Sequence, residues 1–132
     1  MKKNIAFYPH YVNSHNTWQF KLLRSLLGWE AEGKFYALKN MIGESEGCIL
    51  KLPKKQIRAS VMDDLALTSN EFERFINVLT HECELLINLD GNISTDDIRD
   101  SLILVQKERE EARKRKQKYN ETHQKQTKIF RM

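Results

Sequence analysis

Apolar residues recur along the chain with a helical period, beginning shortly after residue 16. Trp18, Leu22 and Leu26 stand at i, i+4 and i+8 on one face of a helix, and Leu23 and Leu27 widen that face, which we expect to pack on the core. Gly28 is expected to end this helix, because glycine is the residue that most often follows a helix C-terminus. A second helix is expected from Trp29 to Ile42, since its apolar residues repeat with the same spacing.

A short apolar run, Cys48–Leu52, lacks the helical period and predicts a strand. Pro53 follows it and suits the first turn of a third helix, where the backbone donor that proline lacks would have no partner anyway. This third helix presents its apolar residues at helical spacing, at Ile57, Val61 and Leu65.

The sharpest local signal is a capping box at the start of a fourth helix. Thr68 stands at the N-cap position and Glu71 follows three residues later, so each side chain can bond the backbone N–H of the other. Leu67 and Phe72 occupy the positions of a hydrophobic staple. Only a few residues separate the third and fourth helices, and two short helices joined so tightly predict a helix-turn-helix.

The period changes from helical to extended after His81. The segment Glu84–Leu89 predicts a strand, Asp90-Gly91 is a hairpin turn signal, and Asn92–Ser94 is expected to return as a second strand.

A last helix is expected to open within residues 94–97, where acidic side chains suit a first turn. Beyond Lys107 no apolar face remains, so this helix should extend past the core and fray near Tyr119. Its contact with the body is expected through three apolar residues, Ile98, Leu102 and Val105.

This order of elements predicts a mainly α, α+β fold: a winged helix-turn-helix with a small β-hairpin wing and a long basic C-terminal helix. We expect one winged-helix domain over residues 1–106 and a basic helical or flexible tail over residues 107–132.

Charge is distributed unevenly along the chain. Residues 107–132 hold ten Lys/Arg and four Glu, a balance of +6, whereas residues 1–106 hold twelve Lys/Arg and fourteen Asp/Glu, a balance of −2. Positive charge concentrated in a tail is typical of a basic arm. Since no transmembrane or signal-peptide pattern is visible, we expect a cytoplasmic protein that binds no membrane, with Cys48 and Cys83 reduced and buried.

The opening of the chain resembles a known family. Phe7-Tyr8-Pro9-His10 and the segment Gly28-Trp29-Glu30-Ala31-Glu32-Gly33-Lys34-Phe35-Tyr36 are similar to the N-terminal domain of DnaD-like replisome organisers of phages, prophages and mobile elements. The resemblance covers roughly residues 5–105 and implies a winged helix with a DNA-associated role, in replication initiation or in control of a mobile element. Where many relatives carry a second helical domain, this chain has only the basic tail.

The candidate nucleic-acid contacts fall into three groups. In an ordinary DNA reader the fourth helix would enter the major groove, where Arg74 can pair with guanine and Asn77 with adenine. A basic cluster surrounds the start of the third helix, and a cationic run occupies the tail, and both can hold phosphates. The residues expected to bind nucleic acid are Lys51, Lys54, Lys55, Arg58, Arg74, Asn77, Arg113, Lys114, Arg115, Lys116 and Lys118.

Each group also has another interpretation. Glu71, Glu73, Glu82 and Glu84 put negative charge on or beside the fourth helix, where phosphates would have to lie. This favours a protein-interaction module of the same fold, an adaptor or inhibitor, whose lysines are merely solvated. The tail can equally contact an acidic partner or only solubilise the chain.

Patterns for catalysis or metal binding are missing. The histidines and cysteines lack the spacing of zinc ligands, and the sequence holds no phosphate loop or nucleophile elbow. We therefore expect no metal, no cofactor and no enzymatic activity. The expected partners are DNA and a replication or regulatory protein.

Two further points concern apolar surface. Four aromatic residues could stack on bases, but their helical spacing beside leucines places them in the core: Trp18, Trp29, Phe35 and Tyr36. A homodimer through the last helix is left open, because that helix has more apolar surface than one contact needs, at Ile98, Leu102, Ile103 and Val105.

Overall fold

The computed structural model describes residues 4, 5, 8 and 16–130, without the side chains of residues 123–130. This part of the chain is mainly helical, with five α-helices and one antiparallel pair of strands. The chain divides into two compact units, Met1–Leu102 and Ile103–Met132. The sequence motif around Phe7, Pro9 and His10 lies outside the described residues.

The two predicted N-terminal helices are confirmed. Helix α1 spans Trp18–Leu27 and helix α2 spans Glu30–Glu44. Gly28 lies between them with a φ of 86°, a backbone conformation that residues other than glycine rarely adopt. The two helices pack through Phe20, whose ring lies 5.5 Å from that of Phe35 in edge contact.

The buried face of α1 differs from the predicted one. Leu23 is buried as predicted and Phe20 is buried beside it, whereas Trp18 and Leu26 are 53% and 39% exposed, so the prediction that these two residues pack on the core was wrong. Apolar residues occupy more than half of the circumference of α1, and only the side with Phe20 and Leu23 meets α2. Spacing alone cannot choose between the two halves of such a wide apolar face.

The predicted strand Cys48–Leu52 is reduced to Leu50. This residue forms an isolated antiparallel bridge with Ile93, with N–H···O distances of 2.9 and 3.0 Å in the two directions. A 3₁₀ turn, Glu46–Cys48, precedes the bridge, and Cys48 has a φ of 53°. The Leu52 N–H donates to the Leu50 carbonyl, so a turn follows immediately and a longer strand cannot form.

The capping box is confirmed between helices α3, Lys55–Asp64, and α4, Ser69–Asn77. The Thr68 hydroxyl accepts the Glu71 N–H at 3.3 Å, and the Glu71 carboxylate accepts the Thr68 N–H at 3.0 Å. Four residues separate the two helices. A π-helical turn, Val78–Glu82, extends α4.

The hairpin is also confirmed. Strand β1, Ile87–Leu89, pairs antiparallel with strand β2, Asn92–Ser94. The turn residues Asp90 and Gly91 have φ values of 57° and 88°, as a type I′ turn requires. A Cβ built on Gly91 would lie 3.0 Å from Pro53 Cγ, so the hairpin turn lies against the segment that precedes α3.

Strand β1 begins later than predicted. Glu84 has a φ of 53°, which interrupts an extended conformation. The N–H groups of Leu85 and Leu86 both donate to the Leu79 carbonyl, at 2.8 and 3.2 Å, and so satisfy the end of the π-helical turn. Extended pairing therefore starts only at Ile87.

Helix α5 spans Asp96–Phe130. Ile98 and Leu102 are buried, and Lys39 of α2 forms an ion pair with Asp97 in the first turn. The predicted fraying near Tyr119 was wrong, because the helix continues to Phe130. Its polar part is rich in Glu, Lys, Arg and Gln, which all have high helix propensity, so it needs no apolar face to remain helical.

The core of the first unit joins residues from all of these elements. Cys48 and Cys83 are free thiols with no exposed surface, as predicted for small core residues. The largest fully buried side chains are Leu23, Leu38, Ile42, Phe72, Leu79, Ile93 and Ile98.

Candidate nucleic-acid interface

Three exposed lysines lie at the corner between the Leu50 bridge and α3. Lys51, Lys54 and Lys55 flank Pro53, and Pro53 is the residue that the hairpin turn contacts. None of the three forms an ion pair with a residue that the structure describes. We call them the hairpin-side lysines. Their charges are available to an external anion.

Arg58 is not available in the same way. Its Nη2 lies 3.4 Å from Glu73 Oε1, and its guanidinium lies 5.0 Å from the centre of the Phe72 ring. The side chain therefore links α3 to α4 and is partly neutralised. Sequence reasoning missed this pairing, because Arg58 and Glu73 are fifteen residues apart and meet only through the packing of the two helices.

The two predicted base-reading residues, Arg74 and Asn77, are both exposed on α4. Arg74 borders a groove of about 240 Å³ together with charges of both signs, including Glu30 and Lys34 of α2. Asn77 does not line this groove. The apolar part of its lining is Leu27, Ala31, Leu67 and Phe75.

The exposed surface of α4 is predominantly acidic. Glu71, Glu73 and Glu82 are exposed, against one arginine in the same stretch. The Thr68 backbone N–H donates to the Glu71 carboxylate and lowers its pKa, with a smaller contribution from the Thr68 hydroxyl, so Glu71 stays ionised at neutral pH. Phosphates would be repelled from this face, whereas the exposed hairpin-side lysines would attract them.

The second unit carries the predicted cationic run. Residues 113–118 are all exposed on α5. Lys114 Nζ lies 3.4 Å from Glu110 Oε1, an exposed i,i+4 pair that holds the lysine only weakly. Successive residues of a helix differ by about 100° in direction, so these cations surround the helix. The predicted residues in this run are Arg113, Lys114, Arg115, Lys116 and Lys118.

Two tryptophans that we expected in the core are on the surface. Trp29 is 75% exposed and Trp18 53% exposed, whereas Phe35 is buried as expected. The Arg24 guanidinium lies 4.6 Å from the centre of the Trp29 ring, and Arg24 Nη1 lies 3.0 Å from Glu32 Oε2. The glycine break between α1 and α2 was the one signal that could have placed Trp29 outside the core.

The proposed dimer face of the last helix is divided. Ile98 and Leu102 are buried within the first unit, so they are not available to a second copy. Ile103 and Leu104 are 59% and 58% exposed. An apolar surface on α5 is therefore smaller than the sequence suggested.

Within the described part of the chain, no group of three or more His, Cys, Asp or Glu residues could hold a metal ion. None of the helices described is both long enough and apolar enough to cross a membrane. His81 is exposed, and His10 and His15 lie outside the described residues.

Comparison with known proteins adds no assignment. No protein-family model matches the chain, and neither a curated protein nor a solved structure matches it.

Proposed function

We propose that this chain is a DNA-binding winged-helix protein of a phage or mobile element that acts in replication initiation or in transcriptional control. The observation that carries the proposal is the Leu50–Ile93 bridge. It joins the segment before α3 to the second strand of the hairpin, so that the two paired segments flank α3 and α4 along the chain. A winged helix would have this order of elements, with the β1–β2 hairpin as the wing.

The distribution of exposed charges supports binding of DNA through its phosphates. The hairpin-side lysines are exposed and unpaired with described residues, whereas the face of α4 is acidic. We therefore propose that the phosphate contacts of the first unit lie on the segment before α3 and on the start of α3, beside the hairpin turn. Phosphate contacts set affinity and register but carry no base sequence, so binding should show little sequence preference.

The tail provides a second set of phosphate contacts. Arg113, Arg115, Lys116 and Lys118 form no ion pair with a described residue, and the run surrounds the helix. A cationic helix of this kind can follow a phosphate backbone without a fixed orientation. The tail then adds affinity for DNA, and the hairpin-side lysines position the first unit on it.

The test is fluorescence anisotropy of a labelled random duplex titrated with the full chain at several salt concentrations. Each phosphate contact contributes about 0.9 to the slope of log affinity against log salt. K54Q and K55Q should each lower the slope by about one, and K114Q/K116Q/K118Q by about two to three. K34Q removes the same charge from α2 and serves as the matched control, with no expected change in slope.

If K34Q and K54Q lower the slope equally, only the total charge matters, and the proposed phosphate contact of the hairpin-side lysines is wrong. Tight binding that ignores salt would contradict the phosphate-based mode altogether.

A protein-interaction module is the second candidate function. It is favoured by the acidic face of α4 and by the exposed apolar residues Trp18 and Leu26 on α1. The same titration separates the two functions. No binding of the duplex at low salt would favour the protein-interaction module.

A further inference from the structure

Trp29 is exposed, yet its ring is held in place. The residue is 75% exposed, although burying an aromatic ring of this size would be strongly favourable. The Arg24 guanidinium lies 4.6 Å from the ring centre, and the Arg24–Glu32 ion pair at 3.0 Å fixes that guanidinium. The side chains of Arg24 and Glu32 are only 13% and 14% exposed, so the support beneath the ring is part of the packed structure.

We propose that the Trp29 indole is a stacking platform for an unpaired base of single-stranded nucleic acid. The inference rests on the proposed function and adds the type of nucleic acid to it. One face of the ring is occupied by Arg24. Bases stack on exposed aromatic side chains without regard to sequence, because every base has a π-face.

The surroundings of Trp29 favour a base over an apolar protein surface. Its neighbours are polar or lack a side chain: Gly28, Glu30 and the Arg24–Glu32 pair. An aromatic anchor of a protein interface is usually surrounded by contacts that exclude water, whereas the residues on either side of Trp29 in the chain, Gly28 and Glu30, are exposed and carry no apolar side chain.

A cation for the adjoining phosphate lies on the same side of α1. Lys21 precedes Arg24 by three residues, so the two side chains are neighbours on the helix surface. Lys21 is exposed and forms no ion pair with a described residue. Glu30 is exposed beside the ring and would repel a phosphate, so the backbone of the strand must pass on the Lys21 side.

The two tryptophans make the experiment specific. In W18F the only indole is Trp29, and in W29F the only indole is Trp18, which is also exposed but has no cation over its ring among the described residues. Each full-length variant is titrated with oligothymidylate and with a duplex of the same length at low salt. We expect quenching of the indole emission only for W18F with oligothymidylate.

Affinity provides a second measurement. W29A should weaken binding of labelled oligothymidylate by about five- to a hundredfold, the loss expected for one stacked base. Binding of duplex should change by less than about twofold, since a paired base is not free to stack on the ring. W18A is the matched control and should alter neither affinity. Because Trp29 is exposed, W29A should fold normally, which circular dichroism checks.

The outcomes distinguish the two proposals. If oligothymidylate binds by anisotropy but the W18F emission does not change, stacking on Trp29 is refuted while DNA binding stands, and Trp29 is left to a protein partner. Equal quenching by duplex would also refute it. If neither nucleic acid binds at low salt, both the proposed DNA-binding function and the stacking role of Trp29 are refuted.

Discussion

The Lys39–Asp97 ion pair connects α2 to the first turn of α5, and its removal should have a measurable cost. Lys39 is 8% exposed and also lies 4.5 Å above the Tyr8 ring. Asp97 accepts hydrogen bonds from Lys39, from the Thr95 hydroxyl and from the Ile98 N–H. D97N removes the charge and leaves the Lys39 ammonium buried without its partner.

The size of the effect follows from the burial of the two partners. Breaking a fully buried pair costs about 3–5 kcal/mol, and an exposed pair is worth about 0.2–1 kcal/mol. Here the Asp97 side chain is 48% exposed and solvent screens it, whereas the Lys39 side chain is 10% exposed. We therefore expect D97N to lower the free energy of unfolding by about 1–2 kcal/mol at neutral pH.

The effect of D97N should depend on pH. Burial alone would raise the pKa of Asp97, but the hydrogen bonds and charge of Lys39, together with the Thr95 hydroxyl, outweigh it and hold the pKa below its usual value. A depressed pKa in the folded state stabilises the protein above the unfolded pKa near 4, and that stabilisation disappears as the pH falls through the folded value. The difference between D97N and the native chain should therefore shrink below about pH 4.

Urea unfolding followed by circular dichroism, at neutral pH and at stepwise lower pH, measures both quantities. D100N removes an exposed carboxylate from the same helix and is the matched control, with an expected change below about 0.5 kcal/mol. The reasoning would be refuted by a D97N variant as stable as D100N at neutral pH. A difference that persists undiminished in strong acid would refute it too.

Three further variants test the elements that form the proposed wing and helix-turn-helix, each by chemical unfolding. T68A removes the capping box and should cost about 1 kcal/mol, whereas S69A, one residue later, should cost less than half of that. G91A places a Cβ at a φ of 88° and 3.0 Å from Pro53 Cγ, so we expect a loss of at least about 1–2 kcal/mol, and a neutral G91A would disprove the assigned turn. I93A truncates a fully buried side chain of β2 and should cost about 2–5 kcal/mol; a smaller loss would mean that the sheet contributes little to the core.

Local signals were the part of the fold that the sequence could supply. The capping box at Thr68 and Glu71 and the turn at Asp90-Gly91 act through backbone atoms a few residues away, so the chemistry of neighbouring residues is sufficient to predict them. The start of α4 followed from the first signal, and the register of the hairpin followed from the second. The start of α3 did not, because α3 begins at Lys55 and Pro53, expected in its first turn, precedes it.

Features that depend on packing could not be predicted in the same way. Which half of α1 is buried depends on where α2 lies, and the buried residues of α1 are Phe20 and Leu23. The strand at Leu50 depends on its partner Ile93, forty-three residues later, and on turns at both ends. Apolar composition identified the segment but not its length.

In the candidate interface, too, local features could be predicted from the sequence and features that depend on packing could not. Lys51, Lys54 and Lys55 are close in sequence and exposed, and the structure adds that the hairpin turn lies beside Pro53, which they flank. Arg58 looked like a member of that cluster, but packing of α3 on α4 pairs it with Glu73. The exposure of Trp29 depends on the chain leaving α1 at Gly28, which residue spacing does not describe.

The two buried thiols can be used to measure local unfolding of this protein. Burial raises the pKa of Cys48 and of Cys83, so each remains protonated at neutral pH and reacts slowly with alkylating reagents. Cys48 lies before the Leu50 bridge and its carbonyl accepts the Ser94 hydroxyl, whereas Cys83 closes the π-helical turn after α4. With one cysteine replaced by serine at a time, alkylation rates would show whether these two regions come apart together or one before the other.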